Sequence, residues 1–166
     1  MRRRIAALVA AAGLLVPLPA AAQRASLGIF ESWGAFRDAK PLRCYAVAVP
    51  ERTLPNAAWR AFASVSHWPG QNVRGQLHVR LSRAAKPDTP VVLRIGGAKF
   101  PLAAGGADSW AANATTDAAI IKAMRTGRWM YVDARDANGR AFTDHYRLPG
   151  AATAIDAAAL GCARQN

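Results

Sequence analysis

Between Val73 and Ser82 the chain alternates: Leu77, Val79 and Leu81 share one face with Val73 and Gly75, and Arg74, Gln76, His78, Arg80 and Ser82 share the other. A period of two is the mark of a half-buried strand, core on one side and wet on the other. Shorter apolar words bounded by turn residues predict further strands at Gly28 to Phe36, Cys44 to Val49 (ended by Pro50) and Ala61 to Val65. A Pro-rich loop through Pro55 separates the last two, and Trp68-Pro69-Gly70 reads as an exposed loop. Val91 to Ile95 and Lys99 to Leu102 form a hairpin across Gly96-Gly97.

Two segments change to a helical period. Thr115 or Thr116 caps a short helix whose apolar side is Ile120, Ile121 and Met124 and whose end is Gly127. Ala151 to Ala163 is Ala-rich and helical. Between the helices, Trp129 to Arg135 and Phe142 to Leu148 form a hairpin with two candidate registers. A turn of Asn138-Gly139 alone sets Asp133 against Asp144, and like charges directly opposite destabilise a sheet. A loop of Ala137-Asn138-Gly139 with Gly139 in a bulge avoids this. It puts Met130, Val132, Ala134, Phe142 and Tyr146 on one face and sets Trp129 beside Arg147 and Tyr131 beside His145 on the other. Asp144 then falls on the apolar face, where its carboxylate needs an arginine or backbone donors. Several short strands and two helices, one at the C-terminus, predict a mainly β domain, a small sandwich or barrel.

The N-terminus follows another rule. Arg2, Arg3 and Arg4 precede an apolar run from Ile5 to Leu18, and Ala20-Ala21-Ala22 stand before Gln23. This is the order of a Sec-type signal peptide, residues 1–22, leaving one domain over residues 23–166, periplasmic or secreted. An uncleaved anchor and a core helix are the competing readings; Pro17 and Pro19 interrupt the run, which is short against the ~20 residues of a membrane span. No later apolar run is long enough to span.

The whole chain carries 22 basic and 10 acidic residues, +12. Loss of Arg2, Arg3 and Arg4 leaves 19 basic residues against the same 10 acidic, +9. Such charge attracts anionic partners: an envelope glycan, lipopolysaccharide, lipid headgroups, a host surface or nucleic acid. The arginines are scattered from Arg24 to Arg164 without the run of a nucleic-acid arm, and abundant Arg, Ala, Gly and Pro with scarce Lys also mark a GC-rich genome. Cys44 and Cys162 are the only cysteines, and in an exported chain an even pair predicts one disulfide. A zinc site from the same cysteines lacks the C-x-x-C or H-x-x-x-H spacing such sites use.

Several words in sequence order, among them Leu27-Gly28-Ile29-Phe30 with Trp33, Arg43-Cys44-Tyr45-Ala46-Val47-Ala48, Ala63-Ser64-Val65 with Trp68-Pro69, Arg80-Leu81-Ser82-Arg83, Ala104-Gly105-Gly106-Ala107-Asp108 and Tyr146-Arg147-Leu148 with Gly150, resemble the invasion-associated locus B family of exported bacterial proteins. The resemblance runs over nearly all of residues 23–166. It implies an envelope or host-contact role with no assigned enzyme activity or cofactor. In the better-known branch a cysteine stands four positions after the tryptophan matching Trp33; here that position is Arg37, which favours the long Cys44 to Cys162 bridge.

The stripe of Arg74, Gln76, His78 and Arg80 suits an anionic headgroup or glycan, since guanidinium groups pair with phosphate and carboxylate in bidentate fashion; a solvated strand face is the plainer account. Among Trp33, Trp59, Trp68, Trp110 and Trp129, Trp68 is the candidate sugar platform, although most tryptophans of a small domain are core. A catalytic alternative, a periplasmic hydrolase, needs His67, His78 or His145 with Asp108, Asp133 or Asp144. Ser64-Val65-Ser66-His67 offers serine without the G-x-S-x-G elbow that exposes a nucleophile. The reading is therefore a non-catalytic surface-binding protein with no cofactor.

Overall fold

A computed structural model describes residues 24–52, 55 and 57–163; the expected signal peptide lies outside them. Ten strands build one antiparallel sheet: β1 (Arg24–Phe30), β2 (Trp33–Ala39), β3 (Leu42–Ala48), β4 (Phe62–Trp68), β5 (Val73–Arg80), β6 (Val91–Ile95), β7 (Ala98–Gly105), β8 (Asp108–Ala111), β9 (Trp129–Arg135) and β10 (Ala141–Arg147). Helix α1 (Ala114–Thr126) lies between β8 and β9, and α2 (Ala151–Ala163) follows β10. The fold is mainly β with two helices, as the alternation and turn spacing predict.

The strand order is β1-β2-β3-β4-β5-β8-β7-β6-β9-β10, and its two ends come together. The Trp33 indole donates to the Arg147 carbonyl at 2.8 Å, and Glu51 N–H donates to the His145 carbonyl at 2.8 Å. Gly150, at φ +89°, sits against the Phe30 backbone where any Cβ would overlap the carbonyl. The sheet is thus barrel-like, with both helices on its inner face. One core holds Trp33, Val65, Leu77, Val79 and Leu81 together with Leu93, Ile120, Met124, Met130, Val132, Tyr146 and Ile155. In α2 the buried positions are Ala151, Ala154, Ile155, Ala158 and Cys162, the three-and-four spacing of one helical face. Their small side chains let the helix lie close to the sheet, and Cys162 bonds Cys44 of β3 across a separation of 118 residues.

The β9–β10 hairpin takes the register that keeps Asp133 from Asp144. Asp133 pairs with Thr143, whose hydroxyl donates to it at 2.7 Å, and Tyr131 pairs with His145. Gly139, at φ +79°, supplies the left-handed residue of the loop. Asp144 is buried, and the backbone N–H of Ser82 donates to its Oδ2 at 2.8 Å. Burial raises its pKa, an effect the Ser82 bond and Arg83 partly offset.

Three expected elements are corrected. Gly28 to Phe36 is two strands, broken at Glu31-Ser32 with Glu31 at φ 50°. The cap of α1 is Asn113, whose side chain accepts from Thr116 N–H at 2.9 Å, in place of Thr115 or Thr116. Trp68 ends β4 and is half-buried, not the tip of an exposed loop.

Candidate functional site

Alternation in β3, β4, β5 and β8 sends every second side chain to the outer face. In β3 these are Arg43 and Tyr45; the register aligns Tyr45 with Ser66, Ser66 with Gln76, and Ser64 with His78 and then Trp110. This outer face is built from arginine and aromatic rings.

 Arg43 lies between two rings, its guanidinium carbon 4.3 Å from the centre of Tyr45 and 4.8 Å from that of Trp68. Its Nη2 donates to the Ser66 hydroxyl at 2.9 Å, and its buried Nε has no hydrogen-bond partner among the described residues. No carboxylate stands within 4 Å of Arg43 among those residues. Burial lowers its pKa from the ordinary arginine value, opposed by Tyr45 and Asp38, and a guanidinium stays charged through such shifts. Arg24 covers the same Tyr45 ring at 5.6 Å while bonded to Asp38 at 2.9 Å. Arg43 is therefore a fixed, half-desolvated cation without a salt-bridge partner among the described residues; its cross-strand neighbour Asp38, bonded to Arg24, acts on it only at longer range.

A second cluster adjoins it on the same face. His78 Nε2 meets Asp108 Oδ1 at 2.8 Å, its ring stacks on Trp110 at 5.1 Å with only 7° between planes, and the Phe62 ring meets it edge-on at 5.1 Å. Arg80 lies over Trp59 at 5.5 Å, and its Nη1 is 3.8 Å from Asp108 Oδ2. The Trp59 indole donates to the Leu81 carbonyl at 2.8 Å, which holds that ring in place. Ser64, directly across from His78, is buried, and its hydroxyl makes no hydrogen bond among the described residues. A nucleophile has to be reached by both base and substrate; this hydroxyl is reached by neither.

Of the residues singled out in the sequence, Gln76, His78 and Arg80 share this face, and Trp68 joins them through Arg43. Arg74 does not. The pairing runs Ser66 to Gln76 and then His67 to Arg74, so Gly75, at φ +74°, is an extra residue that shifts the alternation. Arg74 consequently stands with His67 beside the last turn of α2, in a cleft of about 520 Å³ that Leu160 and Cys162 also line. There, burial and then the Arg74 charge lower the His67 pKa.

Arg43 and Trp110 belong to the face yet are absent from the stripe. The spacing of Arg43 and Tyr45 two apart in a strand word carried a signal for the first; Trp110 lies in a four-residue strand too short to show a period. His145 is on the opposite flank of the sheet, edge-on to Tyr131 at 5.1 Å. Among the described residues no group of three or more His, Cys, Asp or Glu is placed to hold a metal ion, and no helix is long and apolar enough to cross a membrane. No family model, curated protein or solved structure matches this chain.

Proposed function

We propose that this is an exported envelope or surface-binding protein that uses the outer face around Arg43 to hold an anionic ligand, consistent with its resemblance to the invasion-associated locus B family. The observation that carries this reading is Arg43 itself, stacked between Tyr45 and Trp68 with no salt-bridge partner among the described residues. A cation already stripped of part of its water and fixed in one orientation binds an anion at less entropic cost than a free surface arginine. The overall positive charge draws anions toward the domain, and Arg43 provides a place for one to stay.

The test is binding of residues 23–166, oxidised, to lipopolysaccharide, to phosphatidylglycerol vesicles, to phosphatidylcholine vesicles and to duplex DNA at physiological salt. Saturable binding to lipopolysaccharide or the anionic vesicles, weakened at least tenfold by Arg43→Ala, supports the reading. Equal binding to every anion, DNA included, with a steep salt dependence and no effect of Arg43→Ala, reduces it to bulk charge.

A periplasmic hydrolase is the second reading, favoured by the 2.8 Å contact of His78 with Asp108. Turnover of an ester or glycoside substrate that disappears in His78→Ala would establish it in place of the binding role.

A further inference from the structure

We infer that the shelf beside Trp110 is a saccharide-binding subsite, so that the anionic ligand of this face is an acidic saccharide. The inference rests on the reading of the face as a ligand-binding surface and adds what the ligand is made of. Trp110 is one of the few large apolar side chains left exposed, at 37%. One flank of its indole is backed by the His78 ring, which Asp108 in turn fixes through Nε2. On the other flank the direct cross-strand partner is Ala103, and the partner of Asp108 is Gly105. A methyl group and a hydrogen raise no wall there, so β7 forms a low floor beside a rigid aromatic plate.

The polar groups at the rim match a sugar. Asp108 keeps unused acceptor capacity on Oδ2, which is 3.8 Å from Arg80, and Arg80 supplies donors next to it. An aromatic face takes the C–H side of a pyranose, and neighbouring carboxylate and guanidinium groups take its hydroxyls. Two strands separate this shelf from Arg43: the Arg43 guanidinium is bonded to Ser66 of β4, Ser64 two residues away is level with Trp110, and about 7 Å along the strand combined with two strand spacings of about 4.8 Å sets the two points on the order of 12 Å apart. Sugar units running along the face from Trp110 reach the Arg43 guanidinium with a phosphate or carboxylate. A lipid headgroup alone would use Arg43 and leave Trp110 without a contact.

The experiment is calorimetric titration of residues 23–166 with two probes, a deacylated lipopolysaccharide oligosaccharide and inorganic phosphate, for the native chain and for Trp110→Ala, Trp110→Phe and Arg43→Ala. The expected result is oligosaccharide binding that falls at least tenfold in Trp110→Ala and is partly kept in Trp110→Phe, while Trp110→Ala leaves the weaker phosphate binding unchanged. Arg43→Ala weakens both. Circular dichroism and thermal melts confirm that each variant is folded. Oligosaccharide binding unaffected by either Trp110 variant, or no stronger than phosphate, overturns the saccharide subsite and leaves the anionic reading standing. Loss of sensitivity to Arg43→Ala for both probes overturns the anionic reading instead.

Discussion

Removing the disulfide by the double substitution Cys44→Ala and Cys162→Ala is expected to cost most of what a long loop closure contributes. The bridge spans 118 residues, and for a loop of that length the chain-entropy relation gives about 4.9 kcal/mol at 25 °C. Native strain and residual order in the unfolded chain reduce this, so the expected loss is about 3 to 5 kcal/mol, a large part of the ~5 to 15 kcal/mol that holds a domain folded. The native fold survives in the variant because α2 is still held through Ala151, Ala154, Ile155 and Ala158. Urea unfolding of the oxidised chain and of the variant, followed by far-ultraviolet circular dichroism, measures the difference. The denaturant slope should also rise, since the unfolded chain without its bridge exposes more surface. A loss under about 1 kcal/mol with an unchanged slope would refute the argument, because it would mean that the bridge does not restrict the unfolded state.

Other substitutions test single features of the fold. Asp144→Asn keeps an acceptor for Ser82 N–H and removes a buried charge. Because burial raises the Asp144 pKa in the folded state, its favourable contribution is complete below the unfolded carboxyl pKa and is lost as pH rises through the folded value. Denaturant titrations over pH 3 to 8 should therefore find the variant more stable than the native chain at the neutral end and lacking that decline. His67 shifts the other way: burial and Arg74 lower its pKa, so its contribution is present above the unfolded histidine pKa and is lost as pH falls through the folded one. Replacing His67 with Phe should remove this acid-side loss from the melting temperature. Gly75→Ala places a Cβ 2.9 Å from Ile121 Cδ1 at a φ of +74°, and thermal melts should record a destabilisation of about 1 to 3 kcal/mol.

How far the chain discloses this structure depends on whether the determining contact is local. The β9–β10 register was readable because the wrong pairing put Asp133 against Asp144, a conflict visible in the residues themselves. The disulfide was readable because Cys44 and Cys162 are the only cysteines, so that a pair, if formed, has one possible connectivity. The break at Glu31-Ser32 was not, since Ser32 is the one turn-forming residue there, Glu31 takes the left-handed position that glycine or asparagine ordinarily marks, and apolar words flank the pair on both sides. The bulge at Gly75 was equally hidden: the letters keep a period of two through Arg74, and only pairing with β4 moves that side chain to the α2 side. Most of the candidate face follows from strand order. Trp110 meets His78 because β8 inserts beside β5, and no spacing along the chain encodes that neighbour.

The five tryptophans make the central claim directly measurable, because each indole N–H gives its own signal in a ¹H–¹⁵N correlation spectrum. Titrating ¹⁵N-labelled protein with the deacylated lipopolysaccharide oligosaccharide should move the Trp68 and Trp110 signals, and leave in place that of Trp33, which is fully buried, and that of Trp129 on the far flank. Shifts confined to Trp129, or to backbone amides around Arg74 and Leu160, would contradict the account by placing the ligand elsewhere on the molecule.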